Sequence, residues 1–282
     1  MATSKRKQLD NAMTLEVKNA FYKAPDNRVK TAIIIIAAIA IILWSFSLVS
    51  FNGISSNGVK IVQNILRSLT KPNLEWLFSF SGTSVPLLMI ETVAIAWFGT
   101  IIGAILAIPF AFFASRNITG RFVSFIGSIS ITMVRTFPVF VLGLMFSKTV
   151  GLGQFAGVLT IGVSSIGMIT KLYIEAIEDI DHGILDALDS AGCTTIQKIR
   201  YGIIPQLSAN FISTAIYRFE INVRNATVLG LVGAGGIGFT LLQAMGNYRW
   251  NDASACLWGI IVVVLIIEYV STTLRRKITK GE

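Results

Sequence analysis

Long uncharged windows alternate with short charged ones along this chain. No Asp, Glu, Lys or Arg occurs in 31–59, 92–115, 149–170, 225–248 or 253–267. A helix needs about 20 apolar residues to cross the roughly 30 Å hydrocarbon core of a bilayer. The pattern therefore predicts six membrane spans, at 32–49, 87–113, 123–146, 154–172, 204–231 and 253–274. Backbone polar groups in lipid must be satisfied within their own element, and these runs are too long for barrel strands. The expected fold class is an all-α integral membrane protein, a six-span helical bundle.

Two polar stretches carry a helical period of their own. Ile61, Val62, Ile65, Leu66 and Leu69 recur at helical spacing opposite Lys60, Gln63, Asn64, Arg67 and Lys71, which predicts an amphipathic surface helix ended by Pro72. The longest loop, 175–201, is too polar for lipid, yet Ile184, Leu185, Ala187, Leu188 and Ala191 form an apolar stripe. Such a stripe, with no soluble domain to bury it, either docks onto a partner or folds against the protein's own helix ends. Gly192 is placed to stop that helix, and Thr194 or Thr195 to cap the next. Pro205 falls in the first turn of the fifth span, where its missing N–H costs nothing.

Composition agrees with the pattern. Only 14% of residues are charged against about 25% in soluble proteins, and the mean hydropathy is +0.69. With the N-terminus inside, sixteen Lys and Arg fall on cytoplasmic segments and five on outer ones, so both termini are expected in the cytoplasm. The net charge of +9 then follows from topology and anionic lipid, without a nucleic-acid partner. The uncharged run after Lys30 exceeds a signal-peptide core, so the first span reads as an uncleaved anchor. The expected organisation is a cytoplasmic N-terminal segment (1–31), a first helix with the amphipathic segment (32–84), a transmembrane domain (85–276) with its cytoplasmic loop at 175–205, and a tail (277–282).

The chemistry is sparse. Cys193 and Cys256 form no disulfide or zinc spacing, and the single histidine, His182, excludes a histidine-based metal cluster or a Ser-His-Asp triad. No catalytic residue and no metal ligand is expected. Gly233, Gly235 and Gly238 satisfy the G-x-G-x-x-G dinucleotide spacing, but too little chain follows to build the parallel sheet that motif requires. Gly230, Gly233, Gly235, Gly236 and Gly238 are expected instead to form a close-packed bend or gate at the outer end of the fifth span.

The strongest signal is charge inside spans. Arg218, Glu220 and Arg224 would each cost about 2.5–3.5 kcal/mol at the centre of a lipid-facing helix, so they must face protein or water. Glu220 and Arg224 lie about 40° apart and form an i, i+4 couple, while Arg218 points away. Arg135 lies within the third span and Glu91 near the outer end of the second. Two readings stand at this point: Arg135, Arg218 and Arg224 attract an anion in a substrate path, or Glu220–Arg224 and Glu91–Arg135 are structural ion pairs.

The run DALDSAGCTTIQKIRYGIIP resembles the signature loop of the membrane permeases of ABC importers, written EAA, three residues, Gly, nine residues, I-x-L-P. Its positions here are Asp186, Ala187, Leu188, Gly192, Gly202, Ile204 and Pro205, with Asp for Glu, Leu for the second Ala, Gly for Ile and Ile for Leu. AIYRFEINVRNATVLGLVGAGGIG, VRTFPVFVLGLMF and GMITKLYIEAIEDI are similar to the phosphonate-importer branch, and the likeness runs over 91–276. The resemblance implies a non-enzymatic permease whose loop couples to a separate cytoplasmic ATPase, present in two copies, that binds ATP and Mg. It also implies a second copy of this chain, an extracytoplasmic substrate-binding protein, a phosphorus oxyanion as substrate and alternating access in the cell membrane. The competing expectations are an importer for another small polar solute such as an amino acid, a proton-coupled carrier, or a membrane-embedded lipid enzyme.

Overall fold

A computed structural model describes residues 28–48, 56–80 and 82–280, so most of the expected N-terminal segment lies outside the described residues. The chain divides into two units, Met1–Lys60 and Ile61–Glu282. The first unit holds helix α1 (Arg28–Leu48), exposed along its described length and apolar all round. Lipid is the solvent that suits such a surface.

The second unit is a helical bundle. The amphipathic helix α2 (Ser56–Leu69), whose first turn belongs to the first unit, ends before Pro72, and a short helix α3 (Leu74–Phe78) follows, capped by the Asn73 side chain. Then come α4 (Val85–Ala114), α5 (Arg121–Thr136), α6 (Val139–Val150), α7 (Gln154–Glu178) and the loop helix α8 (His182–Ser190). A helical turn at Thr195–Gln197 and a π-helical stretch at Lys198–Ile203 lead into α9 (Ile204–Leu229), which is followed by α10 (Ile237–Gly246) and α11 (Trp250–Lys280). No strand occurs among the described residues. Among the described residues, four helices are long and apolar enough to cross a membrane, and up to six spans result when each of two bent pairs counts as one.

One bent pair corrects the expected third span. The sequence predicts one helix over 123–146; the structure breaks it into α5 and α6, which meet at 79°. The cause is Pro138. It lacks an N–H and pushes the preceding residue out of the helical region, and Phe137 is extended at φ −73°, ψ 119°. Pro138 then serves as the N-cap of α6, accepting from the Val141 and Leu142 amides.

The core of the bundle is α4 against α7. Small residues recur every fourth position on α4, at Gly99, Gly103, Ala107 and Ala111, all buried. A Cβ on Gly103 would stand 2.6 Å from that of Ser165 on α7, so the two backbones meet at a distance only small residues allow. One apolar cluster around Ile169, Tyr173, Ile177, Ile203 and Phe211 fills the end that carries α8. Another around Val85, Met89, Ile237 and Cys256 fills the opposite end, where the glycine run lies.

Candidate functional site

The intramembrane charges fall into two separate groups. Glu220 is 8% exposed, and its carboxylate accepts from Arg224 Nη2 at 2.9 Å and from Arg275 Nη2 at 3.4 Å. Arg224 also donates to Glu268 Oε2 at 3.0 Å, and Arg275 sits 5.2 Å over the Tyr217 ring. Two acids and two bases therefore join α9 to α11 as a neutral cluster.

Arg218 stands apart. It is 5% exposed, donates to Ser164 Oγ on α7 at 3.3 Å, and among the described residues has no carboxylate partner and none for its Nε. One turn further on, Asn222 donates to Thr100 Oγ1 at 2.8 Å and Ser165 Oγ at 2.7 Å, leaving its Oδ1 unpaired. Arg135, at the end of α5, is exposed, makes no ion pair among the described residues, and lays its stem over Gly167. Ser164 and Gly167 are one turn apart on α7, so Arg135 and Arg218 converge on the same stretch of that helix.

Glu91 does not pair with Arg135. Its Oε1 accepts from the Gly236 amide at 2.8 Å, beside the start of α7, whereas Arg135 meets α7 about 20 Å further along its axis. Thr92 Oγ1 accepts from the Ile237 amide at 2.9 Å, so α4 supplies both caps to the N-terminus of α10.

These caps fasten the glycine bend. Gly233, Gly235 and Gly236 all have positive φ, at 80°, 80° and 75°, which side chains resist. Gly230 and Gly238 face each other so closely that a Cβ on Gly230 would lie 2.6 Å from Gly238 Cα. The Gly153 amide donates to Gly233 O at 2.8 Å, tying the bend to α7 as well. Above the bend opens a cavity of about 740 Å³ lined by Glu75, Glu91, Asp252 and Arg249, among others. Three carboxylates against one guanidinium make it a poor receptacle for an oxyanion.

At the other end, the loop is built on local signals. The Asp181 side chain accepts from the Gly183 amide and caps α8. Gly192, at φ 74°, closes α8 with two backbone bonds: its own amide to Asp189 O and that of Cys193 to Leu188 O. Thr194 forms a capping box with Gln197. Asp186 and Ala187 are exposed on α8, while Leu188 turns inward onto Gly202, its Cδ1 2.5 Å from where a Cβ would stand. Two of the four departures from the signature therefore fit each other, because the larger residue at 188 occupies the space vacated at 202. Pro205 lies in the first turn of α9.

Residues 99–281 match the family described as binding-protein-dependent transport system inner membrane component. The chain belongs to that family. It is 35% identical over 67% of its length to the phosphite transport system permease protein PtxC of Stutzerimonas stutzeri, covering 69% of that protein. It is 39% identical over 66% of its length to the putative phosphite transport system permease protein HtxC of the same organism, covering 66% of it. The phosphate-import permease protein PhnE of Mycolicibacterium smegmatis is 32% identical over 75% of this chain, which spans 39% of that longer protein. An inward-facing structure of the MetNI methionine ABC transporter superposes with a TM-score of 0.59 at 20% identity, over 67% of this chain and 94% of that one; this likeness concerns the fold alone.

This chain is thus a type I ABC importer permease of the phosphonate branch, a multi-pass protein of the cell membrane. It is a non-catalytic transport subunit, ATP hydrolysis belongs to a separate ATPase, and a substrate-binding protein is its other partner. The carrier and lipid-enzyme readings fall with that membership. Of the residues singled out in the permease sequence, the structure sets Arg135 and Arg218 against α7 one turn apart, and places Glu220 and Arg224 in a separate cluster with α11. Sequence reasoning missed Glu268, Arg275 and Asn222. Glu268 ends an uncharged run while its span continues to 274, which was a usable sign; an uncharged amide such as Asn222 escapes a count of charges.

Proposed function

We propose that this permease carries a phosphorus oxyanion, of the phosphite, phosphonate or phosphate class, from an extracytoplasmic binding protein to the cytoplasm by alternating access. The observation that carries this reading is the pair of arginines without acid partners among the described residues, Arg135 and Arg218, which touch α7 one turn apart. A guanidinium presents a planar fork of donors that matches phosphorus oxyanions, and an unneutralised cation within a membrane bundle favours an anion over a zwitterion. Glu220 and Arg224, neutralised within their own cluster, hold α9 to α11 and do not meet the substrate. The names of the relatives point to the same class of substrate.

In this reading the functional unit is a homodimer with two ATPases, each holding ATP and Mg. The loop end faces the cytoplasm, as the basic residues require, and α8 is the coupling helix, presenting Asp186 and Ala187 to a groove of the ATPase. The glycine end faces the binding protein. ATP binding draws the ATPases together, α8 transmits that movement to α9, and the outer ends part to receive the anion.

Uptake of radiolabelled phosphite and phosphate, measured in proteoliposomes holding permease, ATPase and binding protein, tests the assignment. R135Q and R218Q should each reduce uptake by about tenfold or more while leaving ATPase assembly intact, since a charge-assisted contact contributes about 1.5–3 kcal/mol. Normal affinity and rate in both variants would refute it.

A further inference from the structure

Beside the chain of contacts that serves transport lies a second basic site. A recess of about 240 Å³ separates the C-terminal half of α2 from the start of α11, lined by Asn64, Arg67, Ser68, Lys71, Trp250 and Asn251. Arg67 and Lys71 are exposed, four residues apart, and neither has a carboxylate partner among the described residues. Two like charges lining one small recess repel each other unless an anion lies between them. The nearby carboxylate of Asp252 is already engaged by Asn73 Nδ2 at 2.8 Å and by Arg249 at 3.4 Å. The walls are fixed: Trp258 Nε1 donates to Leu69 O at 3.0 Å, and the Asn73 amide donates to Asn251 O at 3.2 Å.

We propose that this recess binds the phosphate headgroup of an anionic membrane lipid. The argument for lipid comes from the other flank of α2. Ile65, Ser68 and Leu69 turn toward the bundle, and on one side of that seam Val62 and Leu66 stand 55% and 60% exposed, uncovered by any described residue. On the other side stand Arg67 and Lys71. A lipid satisfies both at once, with acyl chains against Val62 and Leu66 and a phosphodiester between the cations, as amphipathic helices at a bilayer surface are satisfied. A free phosphate or a soluble acidic protein would cover the cations and leave the apolar stripe in water. Asn64, Ser68 and Asn251 supply neutral side chains beside the phosphate, and Trp250 places an aromatic ring at the interfacial level where indoles concentrate.

The test uses the permease–ATPase complex extracted from bilayers of equal phosphatidylglycerol and phosphatidylcholine, with retained lipids quantified by mass spectrometry. Wild type should retain phosphatidylglycerol selectively, and R67Q/K71Q should lose that selectivity by about tenfold or more, at about 1 kcal/mol for each basic residue near an anionic surface. R67K/K71R and the control K60Q/K148Q should keep it. K71Q alone, which lies outside the helix, gives a readable partial loss if the double variant does not assemble. An unchanged lipid ratio in R67Q/K71Q and K71Q, or an equal loss in K60Q/K148Q, would overturn the proposal. So would displacement of the lipid by millimolar inorganic phosphate, which would mark a site for the free ion.

Discussion

Glu220 is the carboxylate on which the α9–α11 cluster depends. It accepts from both Arg224 and Arg275, whereas Glu268 receives only Arg224 and is half exposed. Removing the shared acid strands Arg275 and leaves Arg224 only the half-exposed Glu268; removing Glu268 leaves Arg224 with its better-buried partner. E220Q should therefore lower stability by about 1–2 kcal/mol, below the 3–5 of a fully buried pair because both arginines keep partial exposure, and E268Q by less than half as much. Thermal unfolding of the detergent-solubilised permease reads the order, and equal losses would contradict it. Sequence spacing made the Glu220–Arg224 couple legible, because i, i+4 neighbours are fixed by the helix itself. It could not supply Arg275, 55 residues away, since which helix packs against α9 is a tertiary fact.

At the scale of elements, Leu188 and Gly202 form a matched pair between the loop helix and the π-helical stretch before α9. G202I should drive a side chain into Leu188 and cost about 1–3 kcal/mol through overpacking, while weakening ATPase binding. The double variant L188A/G202I, which restores the sizes of the family signature at both positions, should recover most of the loss; a strictly additive cycle would refute the pairing. The helix ends at Gly192 and Pro205 were readable because their residue chemistry is local. The break at Pro138 was equally present in the sequence, but the hydropathy of 123–146 continues across it and masks the bend. The caps from Glu91 and Thr92 were invisible, since their acceptors and donors lie 145 positions apart.

For the whole molecule, the charge asymmetry makes a prediction about sidedness. In a C256S background, a membrane-impermeant maleimide applied to intact cells should label T83C at the glycine end and spare Cys193 in the loop, with both labelled after lysis. Labelling of Cys193 in intact cells would invert the topology and with it the direction of transport. The glycine run bears on how that transport is gated. Its backbone is bonded to α4 through Glu91 and Thr92 and to α7 through Gly153, three attachments to two helices at a single corner. A corner riveted in this way travels with the body of its own subunit. In the homodimer proposed above, that places the aperture along the seam between the two subunits: a clamp within one subunit at this corner should leave the cycle running, and a clamp across the seam should stop it.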